Sequence, residues 1–180
     1  DILFGNVNPS GKLPQTFERL ESDNPTYNYY RATNKKVEFK EGIFVGYRGF
    51  QKNNKTPLFP FGFGLSYSTF EVSDLTATPT TATVTVKNTG DRVGSEVVQI
   101  YVGPTDTANP VARPAKELRG FAKVSLQPGE SKTVTIALDD HSYSYYNILD
   151  QRFQQVPGTY NVFAGTSSED LPLSTQITIE

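Results

Sequence analysis

His141 is the single histidine of the chain, and it stands beside acids and a hydroxyl in Leu138-Asp139-Asp140-His141-Ser142. These are the residue types of a nucleophilic triad, in which a serine attacks, a histidine takes its proton and a carboxylate orients the ring. Their order argues against one. Sequence neighbours on a loop that follows a strand do not line up nucleophile, base and orienter, so a solvated loop histidine is the better reading. Asp139, Asp140 and Asp150 offer oxygen ligands for Ca²⁺, yet EF-hand spacing is absent. The chain has no cysteine, which excludes disulfides, thiolate nucleophiles and thiolate metal sites. Gly62-Phe63-Gly64 begins a Gly-x-Gly pattern. It lacks the third glycine and the strand–turn–helix context that a phosphate cradle needs. No cofactor is implied.

Hydrolysis of a glycosidic bond needs two carboxylates facing one another. Most of the 19 acids fall in turns or beside lysines and read as solvated surface. Glu41, just ahead of the apolar run Ile43–Val45, stands out, and a structural hydrogen-bond or ion-pair role is its better reading. The tyrosine runs at 27–30 and 143–146 could stack sugar rings, but packing inside a sandwich or interface explains them more simply. Asn54-Lys55-Thr56 is a glycosylation sequon in a polar stretch, with Pro57 directly after it. By residue chemistry alone the chain contains no visible catalytic constellation.

The elements that would position these groups divide at residues 57–70. That run holds five aromatics, two prolines and two glycines, with no charge. Aromatics seek burial, while proline and glycine interrupt helix and strand. An apolar yet irregular segment of this kind reads as a junction wedged between larger bodies. Ahead of it, Asp1–Gly5 looks like the last turn of an apolar helix stopped by glycine, as in a chain cut from something longer. Asn6–Gly11 is a turn, Lys12–Phe17 an edge strand, residues 18–36 a polar loop, and Val37–Phe50 a strand broken by glycines.

After the junction, short alternating runs recur around Val84 and Val86, Val98 to Val102, Val134 to Leu138, Tyr160 to Ala164, and Ile177 with Ile179. Turn residues separate them at Lys87–Asp91 and Gln127–Glu130. Several short strands at intervals of roughly 8–12 residues predict a β-sandwich. With no cysteine pair and no tryptophan, a fibronectin-type-III-like sandwich over 71–180 fits better than an antibody-type one. The net charge of −2 and the lack of a basic run leave no footprint for nucleic acid or an anionic membrane. No stretch reaches the roughly 18–20 apolar residues of a membrane span, and no cationic-then-apolar start marks a signal peptide.

The longer motifs resemble glycoside hydrolase family 3 β-glucosidases. Asp1–Pro14 resembles the end of that family's α/β-sandwich domain, and Glu41–Arg48 with Pro57–Phe70 the segments leading out of it. Glu96–Val102, Arg113–Phe121, Pro128–Glu130, Pro157–Tyr160 and Gly165–Ser168 resemble the family's fibronectin-III-like C-terminal domain. Residues 18–36 are similar to the members that carry an inserted PA14 domain elsewhere. The resemblance implies a mainly β chain with three parts: an α/β-domain remnant and loop over 1–56, an aromatic junction over 57–70, and the sandwich over 71–180. It implies a retaining mechanism, with a carboxylate nucleophile in an N-terminal barrel and an acid/base glutamate upstream of Asp1. No residue here matches either motif, so no catalytic or substrate-binding residue is carried over.

The partners implied are the parent enzyme's remaining domains and, through them, a carbohydrate. Phe59, Phe61, Phe63, Leu65, Tyr67, Phe70, Tyr47, Arg48 and Glu41 are the expected domain-interface residues, with Asn54 as the glycosylation candidate. Exposed aromatics would also allow a homo-oligomer. A non-catalytic carbohydrate-binding module, or the same portion of a β-xylosidase or arabinosidase, are the alternatives. The compartment is not fixed, with secretion the favoured reading.

Overall fold

The computed structural model describes residues 1–32, 34–108 and 110–180. Among the described residues, nine antiparallel strands lie beyond the junction's start. They are β1 (Phe70–Ala77), β2 (Thr81–Asn88), β3 (Gly94–Pro104), β4 (Glu117–Leu126), β5 (Ser131–Ala137), β6 (Ser144–Asn147), β7 (Arg152–Gln155), β8 (Gly158–Gly165) and β9 (Leu173–Ile179). One sheet runs β1-β2-β5 and the other β4-β3-β8-β9, while β6 and β7 form a separate hairpin. Alternation decides which side chains meet between the sheets. Ala82, Val84 and Val86 of β2 point inward against Val98, Ile100 and Val102 of β3, Val162 and Ala164 of β8, and Ile177 and Ile179 of β9. The threonines between the β2 valines face outward and pair across the ladder, Thr83 with Thr135 and Thr85 with Thr133.

The expected runs all fall in strands of a two-sheet sandwich, and the chain is mainly β, as anticipated. At Gln127–Glu130 the Glu130 N–H donates to the Gln127 carbonyl at 3.0 Å, closing the predicted turn. Asn88 explains the turn that follows β2. Fully buried, its Nδ2 donates to the carbonyls of Arg92 (2.7 Å) and Leu126 (3.1 Å), and its Oδ1 accepts from Ser68 Oγ (2.6 Å) and Gly90 N (3.0 Å). One amide thus ties the junction, the β2–β3 turn and β4 together.

Ahead of the junction the structure departs from expectation in two places. Val37–Phe50 does not form a strand. Gly42 and Gly46 take φ of +56° and +57°, which breaks the extended backbone, and Gly46 instead precedes a short helix, α1 (Tyr47–Lys52). Nor does Lys12–Phe17 form a strand. It makes a single bridge, Phe17 with Phe59, because Pro14 has no N–H to continue a ladder. The opening residues do form the expected terminal turn: Ile2–Phe4 is a 3₁₀ turn closed by Gly5 at φ +74°.

Candidate functional site

Among the described residues no three histidine, cysteine, aspartate or glutamate side chains gather as a metal-binding group. The Asp139–Ser142 segment is a capped turn. Asp139 Oδ1 accepts from Ser142 N and Ser142 Oγ, both at 3.1 Å, while exposed His141 lies 3.7 Å from the other carboxylate oxygen. The aspartate sits between serine and histidine, so the serine hydroxyl is aimed at the acid and not at the base, and the order a triad needs is not met.

What the fold does build is an internal interface, where the residues before β1 lie across the outer face of the four-stranded sheet. Antiparallel contacts carry the first segment along the junction: Leu13 N donates to Phe63 O at 2.8 Å, Gly62 N to Leu13 O at 2.8 Å and Phe17 N to Phe59 O at 2.9 Å. Asn8 clamps the far end, its Oδ1 accepting from Ser66 Oγ (2.9 Å) and Tyr67 N (2.8 Å) while its Nδ2 donates to Val93 O (3.1 Å). Lys12 pairs with Glu96 of β3 at 2.7 Å, both side chains largely enclosed.

Gln99 is the centre of this interface. It occupies an outward position of β3 yet is 3% exposed. Its Nε2 donates to the carbonyls of Gly62 (3.2 Å) and Thr166 (2.6 Å), and its Oε1 accepts from the buried Tyr101 hydroxyl at 2.7 Å. Gly62, at φ +80°, is required here, because a Cβ would fall on the Gln99 amide. Ser168 N then donates to Phe61 O at 2.9 Å, anchoring the junction to the β8–β9 loop. Central β3 is therefore buried on both faces over Val98–Gly103.

The second half of the interface is aromatic and ionic. Tyr47 stacks on Phe61 with centroids 5.2 Å apart and meets the Tyr101 edge at 5.8 Å. The Tyr47 hydroxyl accepts from Leu118 N of β4 at 2.9 Å. Burial pushes the Tyr47 and Tyr101 hydroxyls above the ordinary phenol range, Tyr101 the more. Arg48 reaches Glu117 Oε1 at 2.9 Å, and Arg119 reaches Oε2 of the same carboxylate at 2.7 Å. Burial lowers the pKa of the neighbouring Lys116 ammonium, with Glu169 acting against it.

Of the residues expected at an interface, Tyr47 and Arg48 reach β4 in this way, Phe61 stacks on Tyr47, and Phe70 packs at the edge of the core. Phe63 is half-buried, with its ring 5.2 Å from Phe59. Phe59, Tyr67 and Leu65 remain exposed, Leu65 at 73%. Glu41 is half-buried and one of its oxygens is enclosed without a hydrogen-bond partner; it is not drawn into the Arg48–Glu117 group. Asn54 is exposed just after α1. The two tyrosine runs separate in role: Tyr143 packs edge-on against Tyr160 in the core, whereas Tyr27 and Tyr30 sit in the outer loop. Residue chemistry does not single out Gln99 or Asn88, though a glutamine amid an apolar strand run is a visible signal.

The two halves of the chain match two families. Residues 1–67 match the glycosyl hydrolase family 3 C-terminal domain, and residues 96–168 the fibronectin type III-like domain. The chain is 44% identical to thermostable beta-glucosidase B of Acetivibrio thermocellus, over 99% of its own length and 24% of that protein's. It is also 44% identical to probable beta-glucosidase K of Emericella nidulans, over 96% and 21%. Among solved structures, the beta-glucosidase of Kluyveromyces marxianus in complex with glucose superposes with a TM-score of 0.91 at 42% identity, over 100% of this chain and 22% of that one. The GH3 beta-glucosidase of Bifidobacterium adolescentis gives 0.92 at 40%, over 99% and 27%. The chain thus spans between a fifth and a quarter of the length of the curated relatives it matches.

Proposed function

The chain belongs to glycosyl hydrolase family 3, of which it forms the C-terminal part, and from that premise we propose that it is the non-catalytic brace of a retaining β-glucosidase. In this reading the whole enzyme releases terminal β-D-glucosyl residues from glucosides and oligosaccharides. The nucleophile and the acid/base carboxylates belong to the remaining domains, and residues 1–56, 57–70 and 71–180 are the α/β-domain end, the junction and the sandwich. The observation that carries the reading is the Gln99 centre, where the end of the family 3 domain is hydrogen-bonded to the outer face of the fibronectin-like sheet. A sheet buried on both faces by a preceding segment is a fixed support and leaves little room for a flexible tether.

The chemistry fits this division of labour. Glycoside hydrolysis by retention needs two carboxyl groups about 5–5.5 Å apart across the scissile bond. Two of the acids at the interface are already committed elsewhere: Glu117 to two arginines and Glu96 to Lys12. Deleting residues 71–180 from the intact enzyme tests the proposal. The expected result is a sharply shortened half-life of activity on warming. An enzyme of unchanged half-life would overturn the bracing role.

A further inference from the structure

Arg113, in the loop between β3 and β4, is 5% exposed. Its guanidinium lies 5.5 Å above the Tyr160 ring, donates from Nη1 to the Tyr160 hydroxyl at 3.0 Å, and from Nη2 reaches the Ser144 carbonyl at 3.4 Å. Tyr160 passes its own proton to the Val156 or Tyr143 carbonyl, so it can accept from the arginine. No ion pair among the described residues includes Arg113, and the two residues outside the described set, Thr33 and Asn109, are uncharged. A buried cation without a counter-ion is costly, and a carboxylate is the group whose shape matches its fork.

The groove that Arg113 faces has a volume of about 600 Å³ and runs between the β6–β7 hairpin and residues 111–119. Its rim is apolar: Ile43, Val111, Tyr146, Ile148, Leu149 and Phe153 are exposed, Ile148 at 80% and Leu149 at 93%. Arg48 and Arg119 also line it but share the single carboxylate of Glu117, so the groove holds three guanidinium groups against one acid. At the hairpin tip Asp150 and Arg152 pair with each other at 4.0 Å. The charge the groove lacks is negative, and the surface around it is apolar.

Resting on the bracing role above, we infer that this groove is a second docking point, which receives an aspartate or glutamate side chain from the rest of the same polypeptide. That side chain pairs with Arg113, and its neighbours cover Ile148 and Leu149. Two features of the chain argue for this occupant. Its relatives are about four times as long, so a large body of protein is available to cover the groove. The groove also adjoins the established Tyr47–Arg48–Glu117 interface and shares Arg48 and Glu117 with it.

Hydrogen exchange of the intact enzyme, set against the 180-residue chain, tests the inference. Amides of residues 111–117 and 145–149 are expected to exchange roughly tenfold more slowly in the intact enzyme. Arg113→Met in the intact enzyme should abolish that slowing, and Arg113→Lys, which keeps the charge but not the fork, should remove part of it. Equal rates in the two wild-type proteins would overturn the inference without any variant. Slowing that survives in Arg113→Met would show an apolar cover with no carboxylate and would also overturn it. A chain that dimerises on its own through Arg113 would assign the groove to a second copy. If residues 2–4 and Leu65 gain no protection either, the bracing role itself fails; if they do and the groove does not, only the groove assignment fails.

Discussion

Replacing Gln99 by leucine nearly conserves side-chain volume while removing three hydrogen bonds at once. The Gly62 and Thr166 carbonyls lose their donor, and the Tyr101 hydroxyl, on a side chain with no solvent exposure, loses its acceptor. A made hydrogen bond contributes about 1 kcal/mol net, and a buried orphaned group costs about 1–3 kcal/mol. The sum for Gln99→Leu is on the order of 3–5 kcal/mol of lost stability, or roughly 10 °C in Tm for a domain of this size. Urea unfolding measures it directly, with an unchanged slope expected because the surface exposed on unfolding is the same. Tyr101→Phe removes the hydroxyl itself and should cost about 1–2 kcal/mol. In the double variant the orphaned hydroxyl is gone, so the two losses should fall short of additivity by about 1–2 kcal/mol. A Gln99→Leu cost below about 1 kcal/mol, or additivity within about 0.5 kcal/mol, would refute the role of this amide in holding the junction to the sheet.

Asn88→Ala should be as damaging, about 3–5 kcal/mol, since four partners lose their bond to one fully buried amide; urea unfolding again reads it. Tyr143 behaves in the opposite sense. Its hydroxyl is buried with no partner, so Tyr143→Phe should leave stability unchanged or raise it by up to about 1 kcal/mol. Burial pushes the Tyr143 pKa up to about 12 from an ordinary 10, so the folded state holds its proton longer than the unfolded one. Its contribution is therefore complete below pH 10 and lost as pH rises toward 12. Unfolding free energies measured across that range should fall less steeply in Tyr143→Phe.

The sandwich is legible in the sequence because its strands obey a period of two with one face dry, as the valines and threonines of β2 do. The junction is legible as an irregular apolar segment; in the fold its Gly62 carbonyl accepts from Gln99 of β3 and its Phe61 carbonyl from Ser168 N of the β8–β9 loop. The Val37–Phe50 run misleads for a physical reason. Ile43, Val45 and Tyr47 alternate as a strand would, but two glycines at positive φ interrupt the backbone, and among the described residues no neighbouring strand offers a ladder. The polar centre is hard to read because Gln99 and Asn88 matter through partners far along the chain, 37 and 67 residues away for Gln99. Such long-range hydrogen bonds leave no trace in local periodicity.

A portion that supports catalysis and performs none should be silent toward substrate on its own. Turnover of an aryl β-glucoside by the pure 180-residue chain, set beside the intact enzyme at equal molarity, reads this out without intermediaries. Release at the uncatalysed rate is expected from the chain, and full turnover from the intact enzyme. Saturable hydrolysis by the chain alone would contradict the bracing role.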